Sequence, residues 1–67
     1  MTTKTMRQRY FWPDLPREIR EELLKRAINI EGNVQEAMRK IEYHNAAMGY
    51  NTILAWKRFI DNIKGVL

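Results

Sequence analysis

The side chains best suited to chemistry lie on one face of the last amphipathic segment. At 100° per residue, the face opposite its apolar stripe carries Asn51, Ala55, Arg58 and Asn62. An arginine and an asparagine separated by a small alanine suit direct reading of bases, because arginine can pair with guanine and asparagine with adenine. Lys57 and Lys64 flank this face and could hold phosphates. The same pattern is typical of an ordinary helix that shows polar residues to solvent, and both interpretations stay open.

A second group of cations lies near the start of the chain. Residues 1–9 are polar, lack periodicity and contain Lys4, Arg7 and Arg9. We predict a flexible basic arm, which could reach a minor groove or follow a nucleic-acid backbone. Alternatively, this segment is simply a disordered terminus, which is the usual state of chain ends.

The positive charge is concentrated towards both ends of the sequence. The chain has a formal net charge of +4, and residues 1–13 contain three cations and no acid. Residues 49–67 carry three further cations against Asp61 alone. If the two ends meet in the fold, they make one basic face that attracts phosphates. DNA is then the expected partner, with RNA not separable from it, although a moderate charge can also serve solubility alone.

Catalysis has almost no candidate groups. The sequence contains no serine and no cysteine, so a nucleophile–base pair would have to use a threonine. Threonine occurs in the arm and at Thr52, which resembles a helix cap. The single histidine, His44, cannot build a metal site alone, and the three glycines are too scattered to cradle phosphates. We therefore expect no enzyme activity, no metal, no cofactor and no small-molecule substrate.

Three amphipathic segments must position the candidate residues. The apolar periodicity predicts helices at about residues 16–30, 34–48 and 52–64. No strand-like alternation or hairpin turn is visible. The expected fold class is all-α: a compact three-helix bundle of helix-turn-helix type at residues 13–67, preceded by a basic and aromatic arm at residues 1–12.

The helix ends carry recognisable signals. Pro16 suits the first helical position, and Gly32 is a plausible stop. Asn33 followed by Glu36 has the spacing of a capping box. In the second helix, the residues predicted to face inward are Val34, Ala37, Met38, Ile41 and Met48. The third helix has the cleanest stripe, with steps of 3, 4, 3 and 4 through Ile53, Trp56, Ile60, Ile63 and Leu67.

Several large apolar side chains have two interpretations. Tyr10, Phe11 and Trp12 form a cluster that we expect to pack on the helices, although such rings could stack on bases. Tyr43 and Leu54 project away from the apolar stripes. Exposed side chains of this kind can mark a protein interface, so both are candidate interface residues.

Short motifs in the second half of the chain resemble a helix-turn-helix. Gly32-Asn33, then Gly49-Tyr50 and Thr52 before a basic amphipathic helix, are similar to the pattern of Fis-like domains and of small phage-terminase subunits. The resemblance implies a recognition helix lying in the major groove. The first helix of the unit is longer here, since Ala37 and Gly49 are twelve residues apart where those families have about five.

Two functions from different classes fit these observations. The first is a small DNA-binding regulator, or a phage- or plasmid-type accessory factor, which could act as a homodimer. The second is a helical protein-interaction module, such as a phage-type inhibitor or adaptor of a larger host protein. The sequence has no cysteine, no long apolar run and no targeting segment. We therefore expect no membrane association and a cytoplasmic location, bacterial or, for a phage protein, in the host.

Overall fold

The computed structural model describes residues 8–65, which fold around three α-helices. Helix α1 spans Arg17–Glu31, α2 spans Val34–Met48 and α3 spans Ile53–Asp61. Short 3₁₀ turns lie at Trp12–Asp14 and Ile63–Gly65. The prediction of a small all-α, three-helix domain is confirmed. Lys4, Arg7 and Leu67 lie outside the described residues.

The connection between α1 and α2 follows the local signals in the sequence. Gly32 closes α1 at φ 77°, in the left-handed region that favours glycine, and its N–H donates to the Ile28 carbonyl. Asn33 caps α2, since its side-chain oxygen accepts the Glu36 N–H at 3.1 Å. The Glu36 carboxylate pairs with Arg39 at 3.0 Å. Pro16 is the cap of α1, one residue before the first helical position predicted for it.

Helix α3 is shorter than the predicted segment 52–64. Thr52 starts it by accepting the Ala55 N–H at 3.1 Å, so its expected role as a cap is confirmed. The helix ends where the Asn62 side chain donates to the Arg58 carbonyl at 2.9 Å. An asparagine that binds the backbone four residues earlier competes with the helical ladder. The chain therefore leaves the α-helix at Asn62 and continues as a 3₁₀ turn.

A two-residue antiparallel pairing joins the start of the described chain to the start of α3. Strand β1, Arg9–Tyr10, pairs with strand β2, Asn51–Thr52, in the register Arg9 with Thr52 and Tyr10 with Asn51. The sequence pattern predicts no strand and a flexible arm at Arg9, so both predictions are wrong for residues 9–10 and 51–52. The Trp56 indole N–H donates to the Tyr10 carbonyl at 3.0 Å and holds the pairing against α3. We refer to β1 and β2 together as the ribbon.

The core lies where α1 packs against both other helices. It consists of nine buried apolar residues: Trp12, Leu15, Leu23, Ala27, Ala37, Ile41, Trp56, Ile60 and Ile63. The backbone N–H of Trp12 donates to the side-chain oxygen of Asn45 at 2.7 Å and fixes Trp12 against α2. Val34 and Met48, predicted to face inward, are exposed because they are the first and last residues of α2, beyond the reach of the core.

Lys40 takes an inward place on α2 that the apolar pattern does not predict. Its ammonium group lies 2.9 Å from the Glu31 carboxylate, and the two side chains are only 10% and 8% exposed. This buried ion pair links α2 to the end of α1. Within residues 8–65, no helix is long and apolar enough to cross a membrane.

Candidate nucleic-acid interface

The ribbon brings the N-terminal segment to the start of α3. Arg9 is the register partner of Thr52, and Thr52 is also the N-cap of α3. The sequence predicts one basic face if the two ends of the chain meet in the fold. Arg9 does meet the start of α3. Lys4 and Arg7, the other predicted arm cations, lie outside the described residues and stay predictions.

The two segments joined by the ribbon contain no acidic residue. The sequence has no aspartate or glutamate in residues 1–13 or 43–60. Asp61, which follows directly, lies 3.0 Å from Arg26 on α1 and balances that cation. The acidic group closest in sequence to Lys57 and Arg58 is therefore already paired with a cation of α1.

The cations of α3 and the following turn form no ion pair within residues 8–65, whereas four of the six on the other two helices do. Within residues 8–65, Arg17, Arg26, Arg39 and Lys40 each form an ion pair. Over the same range, no ion pair involves Arg9, Lys57, Arg58 or Lys64. Arg9, Arg58 and Lys64 are exposed, and Lys57 is half-buried. Unpaired exposed cations can meet phosphates without first breaking a bond inside the protein.

The two asparagines of the predicted base-reading face already donate within the protein. The Asn51 amide donates to the Met48 carbonyl at 2.7 Å and lies 3.4 Å from His44 Nε2. The Asn62 amide donates to the Arg58 carbonyl. Pairing of either amide with adenine would compete with these bonds. Ala55 is half-buried, so Arg58 is the exposed member of this face whose side chain makes no hydrogen bond among the described residues.

Aromatic packing holds α3 against α2. The His44 ring stacks on Phe59 with centroids 4.0 Å apart, and it meets Trp56 edge-on at 5.1 Å. The Trp12 ring extends this group, with its centroid 5.4 Å from that of Trp56. Burial lowers the pKa of His44 below its ordinary value, because the charged imidazolium loses water contacts. His44 is therefore neutral at pH 7 and serves as a packed aromatic ring.

The aromatic cluster near the start of the chain divides between the core and the surface. Trp12 is buried and Tyr10 packs partly against the core, in line with the expected packing. Phe11 differs: it stacks on Tyr50 with centroids 5.2 Å apart, and the two residues are 44% and 55% exposed. This pair is not predictable from the sequence pattern, because Phe11 and Tyr50 are 39 positions apart and meet only through the ribbon.

The candidate protein-interface residues are on the surface. Tyr43 on α2 is 53% exposed and Leu54 on α3 is 58% exposed, as their positions away from the apolar stripes predict. A shallow groove of about 320 Å³ lies elsewhere, between α1, α2 and the first 3₁₀ turn, and Trp12, Leu24 and Met38 line it. Among residues 8–65, no group of three acidic or histidine side chains could hold a metal ion.

The candidate interface is thus formed by the ribbon, α3 and the turn after it, where Arg9, Arg58 and Lys64 are exposed and unpaired within the described range and the one acid, Asp61, is paired with Arg26 of α1. The likeness to Fis-like and small-terminase domains rests on the sequence motifs alone and stays a prediction. No family model, no curated protein and no solved structure matches this chain.

Proposed function

We propose that this chain is a small, non-catalytic DNA-binding protein that acts in the cytoplasm as a regulator or as a phage- or plasmid-type accessory factor. One observation carries the proposal. The ribbon seats Arg9 at the N-cap of α3, so that two basic, acid-free segments of the chain share one surface. Such a surface favours a polyanion over a neutral or basic partner.

The proposed contacts follow from the exposure of each cation. Arg58 projects from the outer face of α3 and would reach a base edge, while Lys57 and Lys64 would bind phosphates on either side. The nine residues of α3 give a rod about 13 Å long, a length suited to the major groove of B-DNA. The deep, narrow major groove of duplex RNA would not admit it, which favours DNA. Lys4, Arg7 and Arg9 would extend the contact along the backbone.

A salt titration tests this proposal. Binding of the full chain to a random duplex, followed by fluorescence anisotropy, should be measurable at about 50 mM salt and weaken steeply as salt rises. Each phosphate contact contributes about −0.9 to the slope of log affinity against log salt, so Lys64→Gln should make the slope shallower by about one unit.

Lys25→Gln provides the matched control. Lys25 is also exposed and makes no ion pair within residues 8–65, but it lies on α1. We expect it to leave the slope unchanged. Absence of wild-type binding at about 50 mM salt, or equal effects of the two substitutions, would reject the proposed interface.

A protein-interaction module is the second candidate, and the exposure of Tyr43 and Leu54 supports it. In this case the chain would dock on a larger host protein, or on a second copy of itself, through apolar side chains. Tyr43→Ser and Leu54→Ser would then abolish the complex in size-exclusion chromatography with light scattering, and duplex DNA would bind no more tightly than expected for any protein of net charge +4. In the DNA-binding account, Tyr43→Ser, which lies on α2 away from the proposed interface, leaves the affinity for DNA unchanged.

A further inference from the structure

We propose that the Phe11–Tyr50 pair is a stacking platform for unpaired nucleobases of a single-stranded nucleic acid. This inference rests on the proposed nucleic-acid function and adds a second class of substrate to it. The two rings lie 5.2 Å apart with 29° between their planes. A base placed on the open face of such a pair would extend an existing stack.

The ribbon makes the pair. Its register pairs Arg9 with Thr52 and Tyr10 with Asn51, so Phe11 and Tyr50 are the next opposed positions along it. Side chains alternate between the two faces of a strand. Tyr10 packs against the core, while Arg9 and Phe11 are exposed, as this alternation requires. The Arg9 guanidinium is therefore two positions from Phe11 along one segment, and Tyr50 is opposite Phe11 at the end of the ribbon.

The fold does not use these rings as core. Phe11 and Tyr50 are about half exposed, and neither belongs to the buried cluster or to the side chains packed against it. The hydrophobic effect disfavours two large exposed rings in water, so a surface pair of this size indicates a site of interaction.

Charge decides which occupant fits the pair best. No acid occurs in residues 1–13 or 43–60, which supply the ribbon and most of α3. An apolar protein segment would gain nothing from an acid-free, cationic border. A single strand needs both components, since its bases stack on aromatic rings while its phosphates are held by cations such as Arg9 and Arg58.

The test compares ring-removing and ring-keeping substitutions in the full chain. Anisotropy would measure binding of a labelled 15-nucleotide oligo-dT and of a 15-base-pair duplex to wild type, Tyr50→Leu, Tyr50→Phe and Phe11→Leu. Tyr43→Leu is the matched control, because Tyr43 is as exposed as Tyr50 (53% against 55%) but lies on α2. Circular dichroism of each variant would establish that it is folded.

We expect Tyr50→Leu and Phe11→Leu to weaken oligo-dT binding by about tenfold, the loss typical of one stacked base. Tyr50→Phe keeps the ring and should bind as wild type does, as should Tyr43→Leu. Affinity for the duplex should change by less than about twofold in all four variants, since stacking on the open ring face needs an unpaired base.

The remaining outcomes overturn the platform in distinguishable ways. Wild type that binds duplex but not oligo-dT removes the platform and leaves the proposed DNA-binding function standing. Wild type that binds neither removes both. Equal effects of Tyr50→Leu and Tyr43→Leu on oligo-dT reject stacking at this site. If Tyr50→Leu leaves oligonucleotide affinity unchanged but abolishes binding of a protein partner, the pair is a protein-docking site.

Discussion

Arg58 is the exposed side chain of α3 that is best placed to distinguish one base from another. Its side chain makes no hydrogen bond or ion pair within residues 8–65, although its backbone carbonyl accepts from Asn62. A guanidinium in this state can form two parallel bonds to guanine at no intramolecular cost. Lys4, Arg7 and Arg9 of the arm have a different expected role, which is contact with phosphates regardless of sequence.

Substitution of these two kinds of cation should have different consequences. Arg58→Ala should lower the affinity for the preferred duplex by about 1–3 kcal/mol and leave affinity for other sequences nearly unchanged. Arg7→Ala should weaken all duplexes alike. Binding to a panel of duplexes selected from a random pool would measure both effects. If neither substitution alters affinity or preference, the assignment of these residues is wrong.

His44 makes the packing of α3 sensitive to acid. Its pKa is lowered by burial, so the folded protein holds a proton on this ring less readily than the unfolded chain, whose ordinary value is 6.5. By linkage, stability is fully present above about pH 6.5 and is lost as pH falls from there through the lowered folded pKa. Neutral Nε2 can also accept from the Asn51 amide 3.4 Å away, and protonation would put two donors face to face.

We expect the thermal midpoint to fall between pH 7 and pH 5.5 more steeply in the wild type than in His44→Phe. Phenylalanine keeps a ring against Phe59 and Trp56 but cannot take up a proton. Differential scanning calorimetry at several pH values would give both slopes, and an NMR titration of the His44 ring would give its pKa. Equal slopes, or a pKa at or above 6.5, would contradict this account.

At the scale of elements, the Lys40–Glu31 pair joins α2 to the end of α1. Both side chains are about nine-tenths buried and 2.9 Å apart. Removing one member of a buried ion pair leaves an uncompensated charge, which typically costs about 3–5 kcal/mol. A domain of this size has little more stability than that. The pair therefore has a large effect on whether α1 and α2 stay docked.

Lys40→Met should accordingly unfold the domain or lower its free energy of unfolding by several kcal/mol, about 3 or more. The double variant Lys40→Met with Glu31→Leu should recover much of that loss, because no buried charge remains. Glu21→Gln is the control, since its partner Arg17 is exposed and such pairs contribute little. Urea denaturation followed by circular dichroism measures all three. A double variant as unstable as the single one would show that packing, not charge, dominates.

Local chemistry made the helices predictable. Gly32, Asn33 and Thr52 act on the few residues next to them, so their roles could be read from neighbouring positions. The end of α3 was less clear, since the apolar stripe continues through Ile63 although Asn62 interrupts the helix. Periodicity reports which face is buried and not whether the backbone stays α-helical.

Contacts between distant positions could not be predicted in this way. The ribbon is two residues long on each side and joins positions more than 40 apart, which is too short for any alternation to be visible. The exposed Phe11–Tyr50 pair and the meeting of Arg9 with α3 both depend on it. The burial of Lys40 could not be predicted for a related reason. Its buried partner, Glu31, is nine positions earlier and comes close to it only in the folded chain.

At the scale of the whole molecule, charge is divided between two parts of the chain. Every acidic residue except Asp61 lies between positions 14 and 42, mainly on α1 and α2. The ribbon and the first eight residues of α3 carry none. A molecule polarised in this way would orient as it approaches a polyanion, with α3 and the ribbon leading.

Mapping of the interface by NMR tests this central claim most directly. Unlabelled duplex DNA would be added to the ¹⁵N-labelled full chain at low salt, and the amide shifts followed residue by residue. The account predicts that the largest changes fall on Arg9, on residues 50–58 and on residues 62–64, and that the outer face of α1 around Lys25 stays unchanged. Changes centred on α1 or on the Tyr43 surface of α2, or no changes at all, would contradict it.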